Sequence, residues 1–313
     1  MNLIKKLEKY PIGICGTCLG LVTLANCWKI KDLHFIKPIA LIVASIVIIL
    51  QIIRMIIHPK YVWQEIKNPV LGSFYPTIDM AGFLIASSLL KSFPVFAKSL
   101  WISCIIFHIT ILIIFFYFRI KDFTFTHIVP SWFVPPIGIV VATVTSTGMD
   151  FINLSKFIFY FGFICYIIMW PIILYRLYRY PLPAIQKPII GILAAPASLC
   201  LVGYLTVFSN PNNFIIIFLA LTSIFNLLTV YIKLPGLLKK GFAVTYASLT
   251  FPLAISILAM YKVNYYVEKI GFNDFGVFKL FADVQIFIGT YVIFYVFYNF
   301  LKKFYNSIKN NEI

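Results

Sequence analysis

The chain of 313 residues is 61% hydrophobic, 18% aromatic and only 12% charged, with a mean hydropathy of +0.95. Soluble domains carry about 45–50% apolar and about 25% charged residues, so the composition excludes a water-soluble globule and predicts an all-α integral membrane protein. A formal charge of +16 would suggest nucleic acid as partner of a soluble chain; in a membrane protein it is first a topological signal, and no nucleic-acid partner is expected.

A helix that crosses the ~30 Å hydrocarbon core takes about 20 residues. Apolar runs between charged, proline and glycine punctuation predict ten transmembrane helices, at 11–28, 35–57, 69–90, 94–118, 130–149, 151–175, 188–208, 212–232, 243–263 and 275–301, in a single transmembrane domain with no soluble domain. At the start, Lys5, Lys6 and Lys9 precede an apolar run ending Leu24-Ala25-Asn26-Cys27, the outline of a lipoprotein signal. Asn26 stands where that cleavage site takes a small residue, and Pro11 and Gly13 interrupt the apolar region, so the segment reads as the first permanent span. The six cysteines, Cys15, Cys18, Cys27, Cys104, Cys165 and Cys200, all lie in apolar runs and read as small hydrophobes without a disulfide framework. An even number of spans puts both termini on one side. Seventeen of the 26 lysines and arginines fall on that side and nine on the other, which predicts cytoplasmic termini in the inner (plasma) membrane and electropositive mouths on both faces.

The spans alternate in character. Even ones are bulky, as in Ile46-Val47-Ile48-Ile49-Leu50, whereas odd ones are rich in Gly, Ala, Ser, Thr and Pro, as in Gly13-Ile14-Cys15-Gly16-Thr17-Cys18-Leu19-Gly20. Small and hydroxylated side chains let backbones approach closely or leave room for water. Pro11, Pro69, Pro130 and Pro188 each open an odd span, at separations of 58, 61 and 58 residues, and a fifth opening near Thr245 follows 57 later. Proline is favoured in the first turn of a helix, where its missing N–H costs nothing. The pattern predicts five helical hairpin repeats, at 11–57, 69–118, 130–175, 188–232 and 243–301, with a five-helix inner pore ringed by five outer helices. Pro76, Pro135, Pro136, Pro196 and Pro252 fall inside the inner helices and predict helix kinks whose opened carbonyls protein or a watery cavity must satisfy. The alternative is a tightly packed helical core.

Four stretches carry a resemblance. Pro11-Ile12-Gly13-Ile14-Cys15-Gly16-Thr17-Cys18-Leu19-Gly20-Leu21, Pro130-Ser131-Trp132-Phe133-Val134-Pro135, Ala195-Pro196-Ala197-Ser198-Leu199-Cys200-Leu201-Val202-Gly203-Tyr204 and Tyr246-Ala247-Ser248-Leu249-Thr250-Phe251-Pro252 resemble the tellurite-resistance/dicarboxylate transporter family, which includes bacterial TehA and the plant slow-type anion channels. The resemblance spans essentially all ten helices. It implies a homotrimer in which each protomer has its own pore for chloride, nitrate or other small anions, blocked by an aromatic residue on the ninth helix. The matching position is Phe251. From the residues alone, a Phe at a kink in a small-residue helix is also readable as a hydrophobic constriction, or as one of 32 phenylalanines packing a core.

Thr17, Ser87, Thr143, Ser198 and Thr250 are the candidate pore-lining hydroxyls: they can donate to a partly dehydrated anion, or back-bond to a carbonyl one turn earlier. No odd span carries Lys or Arg near its middle, so selectivity would rest on field, hydroxyls and pore width. Asp79, about 15 Å into the third span by helical rise, is the possible titrating group. On the pore wall it would repel anions or, protonated, donate to them; the preferred reading has it bonding backbone opened by Pro76 or pairing between helices. His108 has no obvious sequence partner and reads as buried and hydrogen-bonded, or at a trimer contact. His127 reads as solvated. Cys15 and Cys18 form a C-x-x-C without a second ligand pair, so neither metal nor cofactor is predicted. No H-E-x-x-H, G-x-S-x-G or Walker pattern occurs, and the chain does not read as an enzyme. The function expected is an anion channel with small inorganic or carboxylate anions and membrane lipids as partners. The alternative is a proton-coupled carrier of C4-dicarboxylates, tellurite or other oxyanions.

Overall fold

A computed structural model describes residues 7–239 and 241–309, with no strand among them. Of the basic residues used to orient the chain, Lys5, Lys6 and Lys240 lie outside the described residues. The α-helices are α1 (Gly13–Ile30), α2 (Ile36–Ile57), α3 (Pro59–Lys67), α4 (Thr77–Leu89), α5 (Pro94–Lys121), α6 (Val134–Ile137), α7 (Val140–Val144), α8 (Ile152–Arg179), α9 (Ala195–Val207), α10 (Asn213–Leu238), α11 (Phe251–Lys269) and α12 (Val277–Lys309). Among the described residues, eight helical runs are long and apolar enough to cross a membrane, or nine if the pair Pro59–Lys67 and Gly72–Leu89, bent by 103°, is one span.

Two expected spans differ from continuous helices. The third is reached through the sharp bend after α3, and the fifth, expected over 130–149, is three consecutive pieces: the 3-10 turn Pro130–Phe133, then α6 and α7. The prolines expected to kink helices act differently. Pro135, Pro196 and Pro252 each stand in the first turn of an α-helix and Pro76 caps α4, in every case directly after a 3-10 stretch: Gly72–Phe74, Pro130–Phe133, Ala184–Ala194 or Val244–Leu249. A proline at a helix start removes an N–H that had no partner there anyway. These residues therefore mark junctions between 3-10 and α geometry, not bends inside an α-helix.

Small-residue and bulky helices separate by burial. In Gly13–Ile30, Ala184–Val207 and Val244–Lys269 the buried share is 72%, 83% and 89%, against 28% to 44% in the long bulky helices. The small-residue helices touch in a closed cycle: α1 packs on α4, α4 on α7, α7 on α9, α9 on α11, and α11 on α1. Around them α2 packs on α1, α5 on α4, α8 on α7 and α9, α10 on α9, and α12 on α11 and α1. In lipid, association rests on close packing of backbones because apolar side chains gain little by leaving the bilayer, and glycine supplies that closeness. A Cβ at Gly20 would lie 2.8 Å from the backbone nitrogen of Phe251, and one at Gly191 would lie 2.5 Å from the carbonyl oxygen of Ser248.

One staple recurs from hairpin to hairpin. Arg54, at the end of α2, donates from Nε to the Glu8 carbonyl at 3.0 Å; Arg119, at the end of α5, donates to the Lys67 carbonyl; Arg176, near the end of α8, donates to the Thr126 carbonyl at 2.6 Å. Each acceptor lies just before the proline that opens the small-residue segment of the same hairpin. Ahead of the fourth small-residue segment the equivalent Ile185 carbonyl accepts instead from Thr245 Oγ1, at the opening of the fifth, at 2.7 Å. Only Arg54 adds a bidentate ion pair, to Glu65 at 2.8 and 2.7 Å, and Glu65 also accepts from Tyr75 Oη at 2.7 Å.

Candidate functional site

The closed cycle encloses an axial cavity. Its wall takes residues from every small-residue segment: Gly16 and Leu19; Phe74, Thr77 and Met80; Phe133, Val134, Ile137 and Gly138; Ile192, Ala195, Pro196 and Leu199; and Ala247, Ser248, Phe251 and Pro252. The space for water-sized contents is about 40 Å³. Since one water needs roughly 10–15 Å³ on this measure, the opening holds a few waters at most and no hydrated anion. Phe251 is on this wall and is buried, 7% exposed. It is joined by Phe74 and Phe133 from two other hairpins. Each of the three rings stands one or two residues before a proline, in Phe74-Tyr75-Pro76, Phe133-Val134-Pro135 and Phe251-Pro252, which puts it where 3-10 geometry hands over to α-helix.

The five hydroxyls predicted on the sequence are not on this wall. Thr17 donates to the Gly13 carbonyl at 3.3 Å, Ser87 to Leu84 at 2.9 Å, and Thr143 to Ser155 on α8 at 3.4 Å. Ser198 donates to the Ala194 carbonyl at 2.7 Å and meets Ser223 of α10 at 2.7 Å, so it points away from the axis toward the outer layer. Thr250 donates to Ala247 at 2.6 Å and to Gly16 of α1 at 3.1 Å, tying the start of α11 to its neighbour. A hydroxyl in an apolar helix gains most by taking a nearby carbonyl, and these five do so. Two other hydroxyls reach the cavity. Thr77 is committed to the Phe74 carbonyl at 2.7 Å, whereas Ser248, 2% exposed, leaves its Oγ buried and without a protein partner. Ser248 is thus the wall residue with a free O–H to offer. None of the wall residues is charged. Pro196 and Pro252 are on the wall and so is Pro136's neighbour Ile137, while Pro76 is not.

Asp79 stands behind the wall, beside the wall residue Met80, and pairs with His108 of α5: Oδ2 to Nδ1 is 2.5 Å, and both side chains are all but inaccessible. The other ring nitrogen, Nε2, lies 2.8 Å from the Pro135 carbonyl at the broken third small-residue segment. Of the two expected fates of Asp79, bonding backbone opened by Pro76 or pairing between helices, the structure has the second; nothing local in the sequence joins positions 79 and 108. The chemistry of the triad is constrained. A carbonyl only accepts, so Nε2 carries a hydrogen, and one further proton sits between Nδ1 and Oδ2. Whether that proton is drawn on the ring or on the carboxyl, the pair is neutral overall. Asp79 therefore presents no net negative charge to the cavity.

His127 departs from its expected solvated place: it is half-buried in a cleft with Arg176, and its Nδ1 has no partner. Cys15 and Cys18 are buried thiols, and all six cysteines are free. No group of three or more His, Cys, Asp or Glu side chains is placed to hold a metal among the described residues.

A family model described as SLAC1, voltage-dependent anion channel, matches residues 9–301. An uncharacterized transporter of Methanocaldococcus jannaschii is 25% identical over 89% of this chain and 92% of its own length. A second uncharacterized transporter from that organism is 24% identical over 74% of each chain. A tellurite resistance protein TehA homolog of Haemophilus influenzae is 27% identical over 66% of each.

Proposed function

Because the chain belongs to the voltage-dependent anion channel family, a family of membrane transporters that spans anion channels and tellurite-resistance proteins, we propose that it is a channel passing small monovalent anions, chloride and nitrate, along the axial cavity, with Phe251 as its gate. The observation that carries the reading is an uncharged cavity walled by every small-residue segment and closed by phenylalanines to about 40 Å³. A dry, ring-lined constriction of this size stops a hydrated ion, and withdrawal of a ring is the change that admits one. Ser248 Oγ then supplies a hydroxyl to an anion that has shed part of its water.

The wider architecture we propose is ten spans in five hairpins within a single transmembrane domain, both termini cytoplasmic in the inner membrane, and a homotrimer with one pore per protomer. Segments too short or too bent to count as spans singly, Thr77–Leu89 and Pro130–Val144, complete the count of ten. A transporting role and not an enzymatic one is part of this reading, supported by membership of the family.

The test is current in planar bilayers for the parent chain and Phe251→Ala, with chloride exchanged for nitrate and malate. A silent parent and a conducting variant whose reversal potential follows the anion are expected; equal silence of both defeats the channel reading. A second reading, a proton-coupled carrier of dicarboxylate or tellurite-like oxyanions, is favoured by the proton held between Asp79 and His108. It predicts saturable malate uptake that needs a proton gradient and is lost in Asp79→Asn.

A further inference from the structure

The arginine staples of the first three hairpins differ in how their charge is balanced. Arg54, Arg119 and Arg176 are 2%, 3% and 3% exposed. Arg54 is neutralised by Glu65; Arg119 forms no ion pair among the described residues and leaves Nε and Nη1 buried without a partner, with Asp122 acting on it only at longer range. Arg176 forms no ion pair among the described residues, and no acidic side chain offsets its burial. Two of its five N–H donors are used, on the carbonyls of Tyr180 at 3.0 Å and Thr126 at 2.6 Å; Nε is buried without a partner. A buried cation without a counter-ion is costly, and a guanidinium with donors to spare fits carboxylate and phosphate oxygens.

Arg176 also lines a cleft of about 390 Å³ together with His127, Gln186, Thr126 and the apolar Val70 and Val129. His127 Nδ1 is a second buried, unpartnered nitrogen on that wall. The cleft sits at the end of the molecule where the small-residue segments begin: Val70 and Val129 lead directly into the turns that carry Phe74 and Phe133. It shares no residue with the axial cavity.

We propose that this cleft is an oxyanion-binding site in which Arg176, assisted by His127 and Gln186, holds one phosphate group, supplied either by free inorganic phosphate or by the head group of an anionic lipid. The bound group is the counter-ion that Arg54 finds in Glu65. Its occupancy bears on the two turns that position Phe74 and Phe133.

The test is thermal unfolding of the full-length, delipidated protein in detergent, with inorganic phosphate replacing chloride at constant ionic strength, for the parent, Arg176→Gln and Arg176→Lys. A saturable rise of about 2 °C or more in the parent, absent in Arg176→Gln and reduced in Arg176→Lys, is expected. Equal shifts in parent and Arg176→Gln would reveal only the general salting effect of phosphate and overturn the site. Should Arg176→Gln not fold, a Gln186→Ala, His127→Ala double variant serves in its place, with the same loss of the phosphate-dependent rise expected. Repeating the titration in nanodiscs separates the sources. A rise that persists in neutral phosphatidylcholine and vanishes with phosphatidylglycerol assigns the site to the head group; a rise that persists in both assigns it to free phosphate. Because the readout is binding and not flux, a failure here leaves the channel reading standing, and a silent channel leaves this site standing.

Discussion

Ser248 separates the two uses a hydroxyl has inside an apolar bundle. The hydroxyls of Thr17, Ser87, Thr143, Ser198 and Thr250 are spent on carbonyls, while that of Ser248 is free at the cavity. A hydrogen bond to a charged partner is worth about 1.5–3 kcal/mol. Ser248→Ala in the Phe251→Ala background should therefore lower chloride conductance about tenfold, whereas Ser198→Ala should leave it near the background value; single-channel recording of the two double variants checks this. The Asp79–His108 pair makes a second residue-scale prediction. Asn at position 79 keeps a neutral partner for Nδ1, while Asp79→Ala strands a buried ring nitrogen and leaves a cavity. Removing one member of a buried pair costs about 3–5 kcal/mol, so thermal unfolding should place Asp79→Ala far below the parent and Asp79→Asn close to it, and the channel reading requires Asp79→Asn to keep its current. From helical rise the sequence led to the expectation that Asp79 lies near mid-membrane. It could not tell that His108 meets it, because that meeting depends on how α4 and α5 rotate about their axes.

At the scale of elements, the repeat of proline and small residues predicted where the small-residue segments begin, and the bulky runs predicted the long, less buried helices. What periodicity could not distinguish is a kinked α-helix from a 3-10 stretch that passes into one, because both spare proline its missing N–H. That difference decides which side chains face the axis. In the 3-10 form the turn is tighter, and the residue one or two places before proline comes to the wall. Phe74 and Phe133 share with Phe251 a place one or two residues before proline, but that spacing marks them as wall residues only once the junction is known. Glycine's role is sharpest at Gly20, where a Cβ would meet the backbone of Thr250 and Phe251 at 2.8–2.9 Å. An added methyl that meets backbone cannot be relieved by a rotamer change; overpacking of this kind costs about 1–3 kcal/mol. Gly20→Ala should lower the unfolding temperature and, by pushing the start of α11 off α1, give a leak current in the otherwise silent parent, seen in the same bilayer recordings.

For the whole molecule, the outer faces of the bulky helices expose a belt of large apolar side chains, Ile42, Ile49, Ile106, Ile113, Phe157 and Phe287 among them, which lipid and neighbouring copies of the chain would cover. A homotrimer predicts a particle of three 35.9 kDa chains; light scattering of the detergent complex, corrected for bound detergent, should return that mass, and a single-chain mass would remove the trimer from the proposal. The basic residues counted for topology proved to have a second use that no count discloses: Arg54, Arg119 and Arg176 recur near the ends of successive outer helices and close the loops before Glu8, Lys67 and Thr126 lead inward. Composition and spacing by themselves determined that the chain lives in a membrane, that it is helical, and that a small-residue layer alternates with a bulky one, because these follow from the cost of polar groups in lipid and from periodicity along one dimension. Only the tertiary structure decided which rings line the axial cavity, which wall hydroxyl has no protein partner, that Asp79 pairs with His108, and that Arg176 forms no ion pair among the described residues. Each of those depends on distances between residues far apart in the chain, and distance across a bundle is set by packing and helix rotation, which no local pattern encodes.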